Sequence, residues 1–507
     1  MTLSDWARKA NISVCEEFET GEICSGISDD SRTVQSGNIF VWMPFGSGDR
    51  AAYLRQAVEK GCGGVLVATR EDYQAVKALK KSAIQVEGDF NTGAGELARL
   101  VLGEPDRDMR IIGITGTNGK TTVAWLLRQA YLALGQKAGY LGTLGIQGLG
   151  ELREASNTTP FPVSLWQEIA RLRSEDVEVL AMEVSSHALH QRRVAGMRFS
   201  IAALTQITQD HLDYHETVEA YADAKRLLFT DYLDGIAVLN AEDAVGQQWM
   251  RDFTVHDGNA MMNSLLPYPS IASAGTVSTF DPPVLSFGLE FGDLNAKVNR
   301  LSATSIDLEF VIGEETAECH LSFGGGFHVE NAMVAAAVLL ADRYSLVDVA
   351  WSLGQCSAVP GRFEAVGDRV IVDYAHTPDA VEKLLTSARE ITAGRLITVV
   401  GCGGDRDRVK RPLMAQVAVS RSDQVIFTED NPRTEDPAQI FSDMTHGLTD
   451  GNWRVIPNRR EAIFAAVRES SPGDLVVIAG KGHEDYQIIG REKIHFDDRE
   501  VAREALA

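Results

Sequence analysis

The sequence predicts an α/β protein of three domains, whose central and C-terminal domains each contain a mostly parallel sheet. The chain has 507 residues, which is too long for one hydrophobic core. In two regions, short apolar strands alternate with helical stretches, a pattern typical of a parallel sheet with helices on both faces. A stretch containing Gly and Pro at 103–108 predicts a linker. We therefore expect domains at 1–103, 104–355 and 356–507.

The predicted elements follow the same order along the chain. In the first domain we expect strands at 39–42 and 64–67 and a helix at 51–60. In the central domain we expect strands at 110–114, 177–184, 201–205 and 236–240, and helices at 121–134 and 221–229. In the third domain we expect strands at 369–372, 396–400, 424–427 and 474–478. The segment 255–298 has no sustained period, and its structure stays open.

Composition limits the class of protein. Apolar residues form 44% and charged residues 23% of the chain, which is typical of a soluble globular protein. The net charge of −23 argues against a nucleic-acid partner, because such binding needs a basic surface. There is no apolar run of about 20 residues and no signal-peptide pattern, so we expect a cytoplasmic protein without membrane contact. We also expect a monomer.

The six cysteines do not indicate a metal site or a disulfide framework. None forms a Cys-x-x-Cys pair, and we expect all of them to be reduced. They are Cys15, Cys24, Cys62, Cys319, Cys356 and Cys402.

The stretch GITGTNGKTT at 113–122 reads as a buried strand, a glycine-rich turn and the start of a helix. Gly116 and Gly119 allow successive backbone N–H groups to point at a polyphosphate on the helix N-terminus. Lys120 supplies a charge for the outer phosphates, and the hydroxyl of Thr121 or Thr122 suits the accompanying magnesium. The strict Walker pattern is not met, because Ile114 stands where it requires glycine. The alternative is a plain strand-to-helix turn, but we take ATP binding as the working hypothesis.

Two further polar groups follow predicted strands. Glu183 comes directly after an apolar run and is a hard oxygen ligand suited to magnesium, although it can equally belong to a helix cap. The stretch DHLDYH at 210–215 favours a turn, so His211 and His215 do not by themselves indicate a metal pair. Alone, His215 is better explained as structural, and Lys225 as an exposed lysine on a helix.

Taken together, these motifs resemble those of the Mur ligases, ATP-dependent enzymes that add an amino acid to a UDP-linked cell-wall precursor. The matching motifs appear in family order and are GTNGKTT at 116–122, NTTP at 157–160, EVSSH at 183–187, DHLDYH at 210–215 and DYAHTP at 373–378. The resemblance covers nearly the whole chain. It implies an N-terminal uridine-nucleotide-binding α/β domain, a central P-loop ATPase domain and a C-terminal Rossmann-like domain that binds the amino acid.

The resemblance is strongest to members that add meso-diaminopimelate to UDP-N-acetylmuramoyl-L-alanyl-D-glutamate during peptidoglycan precursor synthesis. It therefore implies three small-molecule substrates, namely ATP, the UDP-muramoyl-dipeptide and meso-diaminopimelate. The implied reaction passes through an acyl phosphate and needs Mg²⁺. In the family, a lysine carbamylated by CO₂ helps to place the metal, and Lys225 is its equivalent here.

The same resemblance implies residue roles. The implied catalytic residues are Lys120, Glu183, His211 and Lys225, and the implied metal ligands are Thr121, Glu183, His211 and carbamylated Lys225. The implied ATP-binding residues are Gly116, Thr117, Asn118, Gly119, Lys120, Thr121, Thr122, Asn331, Arg362 and Asp373. The implied UDP-substrate residues are Ser31, Asn157, Thr158, Thr159, Ser185, Gln191 and Arg193. The implied meso-diaminopimelate residues are Arg406, Asp430, Asn431, Pro432, Arg433, Gly480 and Glu484.

Arg433 is the residue expected to distinguish diaminopimelate-adding from lysine-adding members of the family. Diaminopimelate carries one carboxylate more than lysine, and a guanidinium offers that carboxylate a planar, bidentate partner. Lysine-adding relatives lack this arginine. Read alone, the Asn-Pro-Arg sequence at 431–433 is also compatible with a simple turn.

Three departures from the family pattern keep other hypotheses open. Gln206 and His328 stand where the family commonly has asparagine, and both positions are expected near the nucleotide. The stretch 44–50 lacks the usual Asp-Gly ending, so the uridine contacts there stay open. One rival hypothesis is a lysine-adding or folate polyglutamate ligase. The other is an ATP-binding partner that has lost turnover.

Overall fold

The computed structural model describes residues 1–45, 48–254, 282–449 and 451–507, which form three sheets and one two-stranded hairpin. Part of 44–50 and most of 255–298, whose structures the sequence left open, fall outside these residues. This α/β architecture of three mostly parallel sheets agrees with the predicted fold class. The domain boundaries at 103/104 and 355/356 stay a prediction.

The first sheet has five strands in the order β1-β5-β4-β3-β2, and all its pairs except β1-β5 are parallel. Its central strand β4 is buried along its whole length, as the apolar run Gly64–Val67 requires. The elements are α1 Leu3–Lys9, β1 Val14–Phe18, β2 Gly26–Ser28, β3 Asn38–Trp42, α2 Arg50–Glu59, β4 Gly64–Val67, α3 Arg70–Ala78, β5 Ala83–Val86 and α4 Phe90–Val101.

The second sheet has ten strands in the order β15-β14-β13-β12-β11-β10-β6-β9-β7-β8. The run from β13 to β7 is parallel, and the strands at both edges are antiparallel. Its elements are β6 Arg110–Thr115, α5 Lys120–Ala133, β7 Ala138–Gly142, β8 Gly145–Gln147, α6 Pro162–Ser174, β9 Val179–Glu183, α7 Ser186–His190, β10 Phe199–Leu204, α8 Leu212–His215, α9 Val218–Thr230, β11 Leu233–Asn240, α10 Ala244–Thr254, β12 Val284–Phe287, β13 Leu294–Leu301, β14 Ile306–Ile312, β15 Glu315–Leu321, α11 Phe327–Ala341 and α12 Leu346–Gly354.

The third sheet has six strands in the order β16-β17-β21-β18-β19-β20, and all its pairs except β16-β17 are parallel. Its elements are β16 Glu364–Val366, β17 Val370–Asp373, α13 Pro378–Ile391, β18 Leu396–Val400, α14 Lys410–Arg421, β19 Gln424–Phe427, α15 Pro437–Thr445, β20 Trp453–Val455, α16 Arg459–Glu469, β21 Leu475–Ala479 and α17 Asp498–Leu506, with the hairpin strands β22 Tyr486–Ile489 and β23 Glu492–His495.

Strand order explains where polar residues gather. β6 lies between β10 and β9, in the buried middle of the second sheet, and all three strands run parallel. Their carboxyl ends therefore meet at one edge, where ligands bind in open α/β sheets. Residues that follow β6, β9 and β10 in the sequence are thereby brought to a common place, although they are far apart along the chain.

The first and second sheets share a continuous hydrophobic core that reaches from α1 to α10. Helix α4 packs closely on the segment after α7, and a Cβ on Gly95 would lie 2.6 Å from the carbonyl oxygen of Ala195. Asn91 Nδ2 also donates a hydrogen bond of 2.7 Å to the carbonyl of Gln191. The N-terminal helix α4 thus fixes the segment that carries Gln191 and Arg193.

Among the described residues, no helix has the length and apolar character needed to cross a bilayer. All six cysteines are free thiols, and every one except Cys15 is buried, which agrees with the expected reduced state.

His328 lies in the first turn of α11 inside a cluster of aromatic rings. Its side chain is fully buried against Phe323, Phe327 and Phe363, with ring centroids 5.3, 4.6 and 6.3 Å away. Neither ring nitrogen has a hydrogen-bond partner among the described residues. Burial lowers the pKa of His328 to about 3, so the imidazole is neutral in the folded protein.

We predict that His328 makes stability sensitive to acid. In the unfolded chain this imidazole takes a proton below about pH 6.5, whereas the folded protein takes it only near pH 3. Stability should therefore fall between these values, with a contribution of about 1.4 kcal/mol per pH unit from this group. Denaturant titrations of wild-type and His328→Phe protein from pH 7 to pH 4 measure it. The variant should lose less stability than wild type.

The exposed His446 offers a matched control, because His446→Phe should leave the pH dependence unchanged. Equal slopes for the wild-type protein and His328→Phe would contradict the prediction.

Candidate active site

The loop between β6 and α5 has the backbone that the sequence predicts for binding phosphates. Gly116 has φ +143° and Gly119 has φ +86°, both in the region that favours glycine. A Cβ at Gly116 would overlap the hydroxyl of Thr205, and one at Gly119 would overlap the side-chain oxygen of Asn331. Gly119 is the N-cap of α5 and has no side chain to cap it, so the first N–H groups of the helix stay available for an anion.

A cavity of about 340 Å³ opens at this loop. It is lined by these residues predicted to bind ATP or magnesium: Thr117, Asn118, Gly119, Lys120, Thr121, Thr122, Glu183, His211, Lys225, Asn331, Arg362 and Asp373. Thr158 and Ser185, predicted to bind the UDP-substrate, also line it. The cavity therefore joins residues of the second and third sheets in one space.

Two lysines share one acceptor beside this cavity. Lys120 Nζ lies 2.8 Å and Lys225 Nζ 2.9 Å from the carbonyl oxygen of Gly116. Lys225 is 1% exposed, so it is not the solvent-exposed helix lysine that its neighbours alone suggest. Burial lowers the pKa of both ammonium groups, and the charge of Lys120 lowers the pKa of Lys225 further. The amine of Lys225 is thereby favoured in its neutral, nucleophilic form.

The Glu183 carboxylate is held at the end of β9 by three neighbouring residues. Its Oε1 accepts hydrogen bonds from Tyr140 Oη at 2.7 Å and from the Thr143 N–H at 2.8 Å. Its Oε2 accepts from Thr121 Oγ1 at 3.0 Å and Thr143 Oγ1 at 3.1 Å. Tyr140 and Thr143 are not predictable as partners from sequence patterns, because they lie some 40 residues away in the chain and belong to no recognised motif.

The chemistry of these groups fits magnesium. Thr121 and Glu183 present hard oxygen donors side by side, and burial lowers the pKa of the nearby His211 imidazole so that it is neutral. In the part of the chain that the structure describes, no three His, Cys, Asp or Glu side chains are already grouped as metal ligands. The side chains present would therefore have to share the coordination with the phosphates of a nucleotide.

The histidine-rich stretch differs from the expected turn. Residues Leu212–His215 form the short helix α8, and His211 precedes it with φ +53°. His215 is buried and its Nε2 lies 3.0 Å from Ser186 Oγ, while His211 lines the cavity. Both imidazoles nevertheless lie against the rings of His187 and Tyr221, with centroid distances of 4.7 and 6.3 Å for His211 and 5.4 Å to each ring for His215.

The third sheet supplies the opposite wall of the cavity. Arg362 Nη2 donates to Thr121 Oγ1 at 3.3 Å, and its guanidinium stacks 4.6 Å over the ring of Tyr374. Both oxygens of Asp373 accept backbone N–H groups at 2.7 Å, from Phe363 and Ala375. Burial raises the pKa of Asp373.

A second link between these two walls was not predicted. Asp379 Oδ2 on α13 accepts hydrogen bonds from Asn118 Nδ2 at 2.7 Å and Thr208 Oγ1 at 3.2 Å. Lys383 Nζ lies 3.1 Å from the same oxygen and donates to Gln206 Oε1 at 2.9 Å. The Asn118 side chain of the phosphate loop is thus hydrogen-bonded directly to α13 of the third sheet's domain.

Several residues predicted to bind the UDP-substrate form a hydrogen-bonded cluster next to Glu183. Arg193 donates to the carbonyl of Thr159 at 3.1 Å and to Gln191 Oε1, and it stacks 4.1 Å over the ring of Phe161. Thr159 Oγ1 donates to the Glu183 carbonyl at 2.9 Å. These contacts therefore link the carboxyl end of β9, at Glu183, to the NTTP segment at 157–160.

Three other predicted UDP-substrate residues have different surroundings. Ser185 Oγ caps α7, which agrees with the alternative that this motif belongs to a helix cap. Asn157 is exposed. Ser31 lies in the N-terminal domain, where it is buried and donates to Gln56 Oε1 at 2.6 Å. The backbone N–H of Ser185 also donates to Thr159 Oγ1 at 3.2 Å and so joins the Arg193 cluster, whereas among the described residues Ser31 and Asn157 are not hydrogen-bonded to it.

The residues predicted to bind the amino acid form a separate cluster beyond Tyr374. Asn431 Nδ2 donates to Glu484 Oε2 at 2.9 Å, and Arg433 Nη1 donates to the carbonyl of Gly404 at 2.8 Å. Gly480 has φ +119°, and a Cβ there would lie 2.7 Å from Asp430 Oδ2. Pro432 and the exposed Arg406 are the remaining residues predicted to bind the amino acid.

Tyr374 is close to both the cavity and this amino-acid cluster. It lines the cavity, and its phenol is close enough to Glu484, Asp430 and Arg433 for their charges to shift its pKa. Burial raises the pKa of Tyr374, and Glu484 raises it further. One tyrosine is thus near both groups of predicted site residues.

Comparisons with known proteins agree with this geometry. The Mur ligase middle domain matches residues 114–339, and the Mur ligase, glutamate ligase domain matches residues 361–482. The UDP-N-acetylmuramoyl-L-alanyl-D-glutamate–2,6-diaminopimelate ligase of Bacillus cereus is 38% identical over 499 residues, which cover 96% of this chain and 95% of that protein. The ligase of the same name from Geobacillus kaustophilus is 40% identical over 491 residues, 94% of each chain.

A solved structure of a UDP-N-acetylmuramoyl-L-alanyl-D-glutamate–2,6-diaminopimelate ligase has the same fold. It matches with a TM-score of 0.65 and 32% identity, and covers 95% of this chain and 94% of that chain. The sequence identity extends over all three sheets, and the phosphate loop, the acidic strand end and the wall from the third sheet meet in one cavity. The chain therefore belongs to the Mur ligase family.

Proposed function

We propose that this protein is the ATP-dependent ligase that adds meso-diaminopimelate to UDP-N-acetylmuramoyl-L-alanyl-D-glutamate in peptidoglycan precursor synthesis. The observation that carries the proposal is that Tyr374 lines the cavity at the phosphate loop and is also close to the charged groups of the Arg433–Glu484 cluster. A ligase of this kind must bring an activated carboxylate and an amine together at such a junction. Relatives that carry this name match nearly the whole chain.

The first step transfers a phosphoryl group. A side-chain carboxylate oxygen of the D-glutamate residue attacks the γ-phosphorus of ATP, the bond to the β-phosphate oxygen breaks, and ADP leaves. The acyl phosphate that forms has a far better leaving group than the free carboxylate. Lys120 and the N–H groups at the start of α5 stabilise the charge on the transferring group, which is where positioning and electrostatics contribute most.

Thr121, Glu183, His211 and carbamylated Lys225 would hold Mg²⁺ in this proposal. The cation would supply positive charge to the phosphate oxygens as negative charge develops on them. Lys225 acts as a carbamate, because a bare ammonium would repel the cation. Its amine adds to CO₂, a nitrogen–carbon bond forms, a proton is released, and the product is an anionic oxygen donor. The depressed pKa of Lys225 favours this addition.

The second step forms the amide. The amine of diaminopimelate, after losing a proton, attacks the acyl carbon, and inorganic phosphate leaves. Glu484 suits the substrate's ammonium, and Arg433 suits its additional carboxylate. The wall formed by Arg362 and Tyr374 excludes water that would hydrolyse the acyl phosphate.

The other predicted contacts belong to the same proposal. Arg362 and Asp373 contact the nucleotide from the C-terminal side, Asn331 on α11 contacts its adenine side, and the Arg193 cluster holds the muramoyl-peptide. We also propose that the protein acts as a monomer in the cytoplasm. Arg433 favours diaminopimelate over the lysine-adding alternative, and the NTTP segment argues against the folate polyglutamate ligases.

We predict that the product is a diaminopimelate adduct and that Arg433 determines this choice. The protein is incubated with ATP, Mg²⁺, UDP-muramoyl-dipeptide and an equimolar mixture of meso-diaminopimelate and lysine, and the products are weighed by mass spectrometry. Arg433→Lys replaces the planar, bidentate donor with a point charge. Loss of a charged hydrogen bond should raise the KM for diaminopimelate about 10- to 100-fold.

Arg421→Lys, on the exposed face of α14, is the matched control and should behave as wild type. A lysine adduct from the wild-type protein would overturn the specificity argument. No adduct at all would favour an ATP-binding partner without turnover.

We predict that Lys225 carries a carbamate at neutral pH. In ¹³C-bicarbonate, the wild-type protein should show one carbamate carbonyl resonance that Lys225→Ala lacks. The variant should also lose activity by about 100-fold or more, because a ligand to the charge-stabilising metal is gone. Lys137→Ala, at an exposed lysine, is the control and should keep the resonance. Full activity of Lys225→Ala without bicarbonate dependence would refute the carbamate.

A further inference from the structure

Lys481 is a buried ammonium group that the sequence analysis did not single out. It lies in the turn after β21, between Gly480 and Gly482, and its side chain is 0% exposed. A buried charge is strongly unfavourable unless it is paired and hydrogen-bonded. Lys481 Nζ donates to Glu484 Oε2 at 3.0 Å and to Asn431 Oδ1 at 3.3 Å. Both partners belong to the proposed amino-acid cluster.

These hydrogen bonds determine the orientation of the Asn431 amide. Its Oδ1 accepts from Lys481 Nζ and, at 2.9 Å, from the backbone N–H of Ile488. Because both neighbours are donors, the oxygen must face them, and Nδ2 is directed to Glu484 Oε2 at 2.9 Å. A flipped amide would put two donors against Lys481 and Ile488.

The same network leaves one oxygen of Glu484 available. Oε2 accepts from both Lys481 and Asn431, whereas within the described parts of the chain Oε1 accepts only a long hydrogen bond of 3.4 Å from the hydroxyl of Tyr486. An incoming ammonium group therefore meets a carboxylate that is already fixed in direction, with Oε1 as its free acceptor.

The network also connects Glu484 to Arg433. The backbone N–H of Arg433 donates to the carbonyl of Ile488 at 3.0 Å, and Ile488 donates in turn to Asn431. Lys481, Asn431, Ile488 and Arg433 are thus joined by consecutive hydrogen bonds. They fix the spacing between the acceptor for an ammonium group and the donor for a carboxylate.

We infer that Lys481 is a positioning residue for the amino-acid substrate, which orients Glu484 and Asn431 and sets their spacing from Arg433. The inference rests on the proposed function of this cluster. Lys481 acts through Glu484 and touches no substrate in this account. Its removal should therefore affect recognition of the amino acid and leave nucleotide recognition unchanged.

The test compares Lys481→Met, Lys481→Gln, Glu484→Gln and the double variant Lys481→Met/Glu484→Gln. The KM values for meso-diaminopimelate, ATP and UDP-muramoyl-dipeptide are measured for each, together with the Tm. Lys481→Met should raise the KM for diaminopimelate about 10- to 100-fold, as expected for loss of charged hydrogen bonds. The other two KM values should stay within about 2-fold, since neither substrate depends on Glu484.

Lys481→Gln keeps a donor for Glu484 and should show an intermediate KM, which carries the test if Lys481→Met does not fold. On the Glu484→Gln background, Lys481→Met should add less than about 3-fold, because its effect passes through the same carboxylate. Lys493→Met, at an exposed lysine 3.9 Å over the ring of Tyr486, is the matched control and should behave as wild type.

Three outcomes would overturn the inference. One is an unchanged KM for diaminopimelate in both Lys481 variants. Another is an equal rise of all three KM values with a lowered Tm, which indicates a purely structural role. The third is a full multiplicative effect on the Glu484→Gln background. A wild-type protein that forms no diaminopimelate adduct would overturn the proposed function itself, and this inference with it.

Discussion

The active site depends on one backbone carbonyl, that of Gly116, which two lysine side chains share. Lys120 also donates to the carbonyl of Thr117 at 2.9 Å, but two carbonyl dipoles do not fully compensate two unit charges this close together, because burial removes the water that would screen them. The positive end of α5 adds to the imbalance. The neutral form of Lys225 relieves it, and so would conversion of that amine into an anion. The phosphate loop therefore contains the electrostatic reason for modifying Lys225.

The same loop determines how the C-terminal domain is placed. Asn118 lies between the two glycines, and the turn directs its side chain to Asp379 on α13. Thr121, in the first turn of α5, contacts both Glu183 and Arg362. A change in loop conformation would therefore disturb the acidic strand end and the opposite wall together. Residues next to the second sheet and residues next to the third sheet both line the cavity, so neither sheet alone forms the proposed nucleotide site.

Local sequence patterns predict the parts of this site that local chemistry determines. The apolar runs at 110–114 and 396–400 form buried strands because nothing but a sheet interior accommodates them, and GTNGKTT requires glycine at two positive φ angles. The partners of Glu183 are different. Tyr140 and Thr143 reach it because β7 pairs with β9, a contact between residues about 40 apart that no periodicity encodes. Asp379 and Lys383 were missed for the same reason, since their partners lie in another domain.

The two departures from the family pattern have local physical explanations. The backbone carbonyl of Gln206 accepts from the Thr117 N–H at 2.8 Å, a bond that does not depend on the side chain. Its longer side chain reaches Lys383 across the cavity. His328 points into the rings of Phe323 and Phe363, and it does not line the cavity. Neither residue removes a donor from the phosphate loop, so the argument for lost turnover has no support in the geometry of the loop.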